Sequence, residues 1–262
     1  MNTPETVLAM PVPAVVLSDV DDTITWHGGL PVAALAAMHA LHDRGVELVL
    51  VTGACAGWCD QMARTWPVSA VVGENGAFTI ERRGRRLAYV DTQDEPTRSA
   101  HQARLLELAS ALLRRLPGWR HAGDQAYRRY DVALDHGQDV GPATPQDIDL
   151  AVQGFRDAGA KATASSIHVN AWLGDFSKLS AARRYLERHR GWSPDTMRER
   201  CAFIGDSSND RDMFEFFPRS AGVANVAKFL YQLPTPPASI MSKPGGHGFA
   251  EFVGQLLAVS PQ

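Results

Sequence analysis

Short apolar runs alternate with stretches of helical periodicity along the first eighty residues. Ala14–Ser18 is a β-type run. Leu30–Arg44 carries apolar residues at helical spacing, with Pro31 suited to a first turn and Gly45 to the stop beyond the last. Val46–Val51 reads as a buried strand, a helical stretch ends near Pro67, and Val68–Val72 is a third strand. Strand–helix alternation of this kind predicts right-handed crossovers and a parallel sheet covered on both faces.

The pattern changes after Gly76. Phe78–Arg82 and Arg86–Val90 flank Arg83-Gly84-Arg85 as a hairpin, and a helix is expected over about Pro96–Leu116. Tyr127–Leu134 reads as a strand, Thr144-Pro145 as a helix start, and Ser166–Trp172 as a strand again. From Ser177 the alternation returns. Helices are expected over Lys178–His189, Asn209–Phe217 and Phe249–Ala258, with strands over Cys201–Gly205, Ser220–Ala224 and Ala238–Met241. The expected fold is α/β: a Rossmann-like, doubly wound parallel sheet from 1–82 and 173–262, carrying an inserted α+β cap over 83–172.

Composition narrows the classes of function. The 262 residues suffice for one core and a second module, and 45% apolar with 21% charged residues argues for a folded chain. The net charge of −3 lacks the basic field that nucleic-acid binding draws on. Three cysteines make no disulfide framework and fit a reducing, cytoplasmic setting. No apolar stretch approaches the roughly 18 residues of a membrane span, and MNTPETVLAMPVP has no signal-peptide pattern. Neither nucleic acid nor membrane is an expected partner, and no whole-chain feature bears on oligomeric state.

The chemistry concentrates at two strand ends. Ser18-Asp19-Val20-Asp21-Asp22-Thr23 places three carboxylates within four residues after the first strand. Their mutual repulsion costs energy that a bound cation would offset, and hard oxygen ligands suit Mg²⁺. An Asp-rich turn is the competing reading. Gly205-Asp206-Ser207-Ser208-Asn209-Asp210 repeats the theme after another apolar strand and would add oxygens at the same sheet edge. Thr52-Gly53 ends the second strand with a hydroxyl and an N–H suited to a phosphoryl oxygen, and Lys178 opens the helix after the insert.

The series Asp19-x-Asp21-x-Thr23, Thr52, Lys178 and Gly205-Asp206-x-x-Asn209-Asp210 resembles the four motifs of the haloacid dehalogenase superfamily of phosphatases, in order. Glu74-Asn75-Gly76-Ala77 before the large insert resembles the subclass with an α/β C2 cap, which includes Cof-type sugar phosphatases and sucrose-phosphate phosphatase. The likeness covers the core strongly, over about 12–82 and 173–258, and the cap only in outline. It implies Mg²⁺-dependent hydrolysis of a small phosphomonoester, a sugar phosphate by preference, through an aspartyl-phosphate. In this likeness Asp19 is the nucleophile, Asp21 the acid/base, and Thr52 and Lys178 bind the phosphoryl group. Asp19, Asp21 through its carbonyl, and Asp206 would hold the metal, supported by Asp210 and Asn209. Gly53, Asn75, Asn170 and Asn209 are the expected substrate contacts. A phosphomutase using the same intermediate, or a non-catalytic phospho-acceptor or phosphate sensor, are the alternatives.

Many relatives carry Arg two residues after the motif threonine, where this chain has Ala54. Cys55 and Cys59 have the spacing of one helix face but no second ligand pair, which makes small core thiols the expected role. Arg82-Arg83-Gly84-Arg85-Arg86 reads as a solvated hairpin tip, and His247 as an exposed loop residue. In the strand before Lys178, His168, Asn170 and Trp172 share one face, predicted to turn toward the cleft. Hinges are expected near Arg82 and Gly174-Asp175.

Overall fold

The computed structural model describes residues 11–258. The signal-peptide reading concerns chiefly residues 1–10, which lie outside them. The core is an eight-stranded sheet in the order β12-β11-β10-β1-β2-β3-β4-β5. Its strands are β1 (Val15–Ser18), β2 (Glu47–Val51), β3 (Ala70–Gly73), β4 (Phe78–Arg83), β5 (Arg86–Asp91), β10 (Cys201–Gly205), β11 (Ser220–Gly222) and β12 (Ser239–Ile240). Six are parallel, and β4–β5 closes one edge as an antiparallel hairpin.

The period of two sorts the strands' side chains into two layers. Val16, Leu48, Leu50, Ala202 and Ile204 pack beneath α1 (Val32–Asp43), α2 (Ala56–Thr65) and α8 (Gly245–Ala258). Val15, Leu17, Val49, Val51 and Phe203 face α5 (Lys178–Arg190), α6 (Pro194–Arg200) and α7 (Arg211–Phe216). Both faces are therefore covered, and the central strands bury every residue except Glu47 at the start of β2. Ligand chemistry is left to the carboxyl-end edge, where β1, β2 and β10 run out into Asp19, Thr52 and Asp206.

The cap is a four-stranded antiparallel sheet, β6-β7-β9-β8, of β6 (Arg120–His121), β7 (Val132–Asp135), β8 (Lys161–Ala164) and β9 (His168–Trp172). One face packs Val132, Leu134, Val169 and Ala171 against α3 (Glu95–Leu113) and α4 (Pro145–Asp157). Asp94 caps α3 through the Thr97 N–H, and Thr144 caps α4 through the Asp147 N–H, with Pro145 in the first turn.

Several expectations change. The boundary at residue 82 moves, because β5 pairs with β4 along its whole length and completes the core sheet. The chain crosses to the cap at Thr92–Asp94 and returns at Leu173–Asp175, where the Gln93 side chain donates to the Leu173 carbonyl at 2.9 Å. Gly174 sits there at φ +124, a backbone conformation that calls for glycine. The hinge expected at Arg82 is thus inside a ladder. The strand expected over Tyr127–Leu134 starts only at Val132, because the amides of residues 129–131 bond a core carboxylate instead of a neighbouring strand. The stretch from Asn209 opens as a 3₁₀ turn, Ser208–Asp210. The last helix starts at Gly245, which puts exposed His247 in its first turn. β8 and α6 were not anticipated. No helix among the described residues is long and apolar enough to cross a membrane.

Candidate active site

Parallel pairing of β1 with β10 aligns Ser18 with Ile204, so Asp19 and Asp206 emerge side by side. The Asp19 N–H donates to the Ile204 carbonyl at 3.0 Å and fixes that exit. Lys178, the first residue of α5, is placed by a reciprocal cap between Ser177 and Ser180. Its Nζ donates to Asp19 Oδ1 at 2.7 Å and to Asp210 Oδ1 at 2.8 Å. Asp210 Oδ2 accepts the N–H groups of Asp206 (3.0 Å) and Ser207 (3.4 Å). A Cβ at residue 205 would lie 2.3 Å from that oxygen, which is why glycine ends β10.

The charges do not balance. Asp19, Asp206 and Asp210 are buried with one oxygen each within 4.8 Å of one another, against the single ammonium of Lys178. Burial opposes the charge of Lys178, but Asp19 and Asp210 outweigh it and hold the ammonium protonated above the ordinary lysine range. Burial, together with Asp19, Asp210 and Asp22, pushes the Asp206 carboxyl well above its usual range. Burial and then Asp22 push Asp21 up to about 6, in the range useful to a group that both gives and takes a proton. Three hard-oxygen donors with uncompensated charge fit a divalent cation such as Mg²⁺, which would be held by Asp19 and Asp206, with Asp210 fixing their loop.

Between core and cap is a cavity of about 10 Å³, room for about one water. The core lines it with Asp19, Asp21, Gly53, Asp206 and Asn209; the cap adds Ser165, His168 and Asn170. The cap is therefore down on the site and leaves no room there for a larger molecule. The Gly53 N–H has no partner among the described residues. Asn170 donates to Asp131 Oδ2 at 2.8 Å, and Asn209 accepts from the Ser207 hydroxyl at 3.0 Å. His168 Nε2 is buried with no partner. Burial and then the Arg128 guanidinium push this imidazole down to about 4, so it is neutral.

Three predicted residues sit elsewhere. Thr52 is fully buried behind the cavity, its Oγ1 accepting the Ala54 N–H at 3.0 Å. Asn75 lies behind Gly53 with its Nδ2 unpartnered, in a left-handed conformation (φ 58), and does not line the cavity. Trp172 does not line it either. Its Nε1 donates to the Phe176 carbonyl and its ring stacks on Phe176, because both join the apolar seam where the cap returns to the core. Cys55 and Cys59 are buried thiols that burial pushes upward, Cys55 to about 12.

Three residues escaped the sequence reading. Glu74 accepts the N–H of Ala56 from the core and those of Arg129, Tyr130 and Asp131 from the cap. Arg128 donates to the Gly53 carbonyl at 3.0 Å and pairs with Asp131 and Asp124, so the cap supplies a cation beside the segment where Ala54 replaces the expected arginine. Asn225 Nδ2 donates to Asp206 Oδ2 and to the Asp22 carbonyl, both at 3.1 Å, bracing the two acidic loops. The Arg-Arg-Tyr-Asp run was the one available signal, and it was read as strand.

No protein-family model matches the chain, and no curated protein matches it in sequence. Solved structures do match over nearly the full length. The sucrose-phosphatase from Synechocystis, in complex with sucrose and phosphate, superposes with a TM-score of 0.64 at 17% identity, covering 96% of this chain and 100% of that one. The trehalose-6-phosphate phosphatase C-terminal domain from C. albicans gives 0.70 at 12% identity, over 98% and 97%. A haloacid dehalogenase-like hydrolase from B. subtilis gives 0.66 at 13% identity, over 93% and 99%. Core sheet, inserted cap and strand order together give this chain the fold of the capped haloacid dehalogenase-like hydrolases.

Proposed function

We propose that this chain is a metal-dependent phosphomonoesterase acting on a small phosphorylated metabolite through an aspartyl-phosphate. One observation carries the reading. Asp19 is held 2.7 Å from the Lys178 ammonium, inside a buried triad of carboxylates, at the mouth of a cleft that a cap closes. An Asp-rich turn in solvent would need neither the burial nor the lysine.

Asp19 would attack phosphorus through a carboxylate oxygen, forming the acyl-phosphate bond as the ester P–O bond breaks. Asp21 would give its proton to the leaving oxygen, then take one from the water that cleaves the intermediate and frees Asp19. Lys178 and the Gly53 N–H would steady the phosphoryl oxygens. A bound Mg²⁺ would supply further neutralisation of those oxygens. The closed cap would exclude bulk water and large phosphoproteins. Sugar phosphates are the favoured substrates, since two structural neighbours are named for sucrose and trehalose phosphates.

The test is phosphate release from p-nitrophenyl phosphate and a sugar-phosphate panel, with and without Mg²⁺, in wild type and Asp19→Asn. Metal-dependent turnover that the substitution lowers by about a thousandfold or more is expected. Turnover that survives Asp19→Asn removes the nucleophile assignment, and none on any ester removes the phosphatase reading.

A further inference from the structure

The core sheet ends on one side at β12, two residues long, and on the other at β5, which runs six residues from Arg86 to Asp91. The hydrogen bonds around the hairpin fix which groups β5 presents. The Arg82 N–H donates to the Ser69 carbonyl beside β3 at 2.9 Å, so Arg82 turns its polar groups away from Leu87 opposite. At the other end the Thr92 N–H donates to the Ala77 carbonyl at 3.0 Å. Alternation between these two points turns Arg86, Ala88 and Val90 inward to β4. Leu87, Tyr89 and Asp91 therefore direct their N–H and C=O groups outward, and no described residue bonds them.

Such an edge is a template for another strand unless it is short, charged, bulged or covered. β12 is short. On β5 the arginines at 83, 85 and 86 guard the hairpin tip alone, and Leu87-Ala88-Tyr89-Val90 carries neither charge nor proline. The ladder with β4 is continuous, so no bulge twists the edge away. Tyr89 is 46% exposed, and its hydroxyl is held by Asp60 of α2, which fixes the ring beside the open edge.

We propose that β5 pairs antiparallel with β5 of a second copy of this chain, joining the two core sheets across a two-fold axis. The inference is independent of the phosphatase reading. Outward groups have to meet outward groups, which puts the axis on a residue and not between two. Centred on Ala88, the pairing sets Leu87 opposite Tyr89, Arg86 opposite Val90 and Arg85 opposite Asp91, each of them twice. Leu87 and Tyr89 would exchange about four backbone hydrogen bonds in all. The Asp91 carboxylate lies 3.3 Å from Arg129 and is about one-third exposed, with lone pairs left for a second guanidinium. Centred on Tyr89, the same strands would put Leu87 against Asp91 and one tyrosine against the other. In the first register apolar meets apolar and positive meets negative. That match is of the strand to itself, which points to a second copy and not to an unrelated peptide.

The acidic cavity has no lining residue on β5, so the readout is mass in solution and not turnover. Sedimentation equilibrium of the full chain over a wide concentration range should show a monomer–dimer equilibrium. Tyr89→Pro removes an N–H that β4 does not use. It should raise the dissociation constant about tenfold or more over Tyr89→Thr, which keeps that N–H. Arg85→Asp should also weaken the dimer, and Asp91→Arg added to it should restore the pairing with the charges exchanged. Circular dichroism and urea denaturation establish that each variant is folded. A wild type that is monomeric at every concentration overturns the proposal, as does a dimer that neither Tyr89→Pro nor Arg85→Asp weakens. If Tyr89→Pro does not fold, the charge pair decides: a dimer weakened by Arg85→Asp and restored in the double variant supports the pairing, and one unaffected by Arg85→Asp or not restored overturns it.

Discussion

Glu74 Oε2 on the core accepts the N–H of Tyr130 on the cap at 2.6 Å, across 56 residues of sequence. The same carboxylate takes the Arg129 and Asp131 N–H groups, so one buried side chain satisfies a bend of cap backbone that would otherwise be stranded without partners. That bend carries Arg128 to Gly53 and Asp131 to Asn170, which makes Glu74 the residue that seats the cap on the acidic cavity.

Glu74→Gln should loosen this joint. An amide nitrogen would face N–H donors in place of an acceptor oxygen, at a cost of about 3 kcal/mol. Urea denaturation measures the loss, and limited proteolysis should cut faster at 92–94 or 173–175. A loss below about 1 kcal/mol would show that the cap is seated by its apolar seam alone.

The carboxylate triad predicts stabilisation by metal. A cation that binds only the folded chain adds about 3 kcal/mol at a hundredfold excess over its dissociation constant, a rise in Tm on the order of 5 °C. Thermal melts with and without Mg²⁺ should record that rise in wild type and lose it in Asp206→Asn. An equal rise in both proteins would place the cation elsewhere.

Asn225 touches neither Asp19 nor the cap, yet it braces Asp206 and the Asp22 carbonyl. Asn225→Ala should weaken Mg²⁺ binding by about 10–100-fold, as loss of a partner behind a ligand does. Calorimetric titration of the variant is the check. Unaltered affinity would reduce Asn225 to a loop tie through its bond to the Gly245 N–H.

His168 gives a pH dependence whose sign is fixed. Its folded pKa of about 4 lies below the unfolded value of roughly 6.5, so the unfolded chain takes up the proton first. Stability should therefore be lost as pH falls from 6.5 toward 4, by about 3 kcal/mol from this group. Denaturation of wild type and His168→Asn at pH 7.5, 5.5 and 4.5 isolates the effect. The difference between them should shift in the variant's favour at low pH, and a constant difference would mean the imidazole is not held neutral.

The strand ends were readable because they are local. Asp19, Asp21 and Asp206 follow apolar runs of unambiguous period, and a buried parallel strand has to release its chain at the carboxyl edge. Asn170 was readable for the same reason, since alternation along β9 separates a packed face from a presented one. Trp172 obeyed that alternation and still went elsewhere, because the apolar seam with Phe176 and Tyr130 was a better environment for an indole than the cleft. The boundary at residue 82 failed similarly: a hairpin looks alike whether it extends a core sheet or begins a cap, and only its pairing with β3 decides.

Periodicity and short-range spacing are enough to specify the doubly wound core, the acidic strand ends and the presence of an insert. Which groups meet depends on long-range packing. Lys178 reaches Asp19 across 159 residues and Asn225 reaches Asp22 across 203, and hydrophobic period carries no information at that range. Glu74 made the difference clearest. A carboxylate in a turn has the composition of a solvated residue, and becomes a joint between domains only when another part of the chain brings it N–H groups that have nowhere else to go.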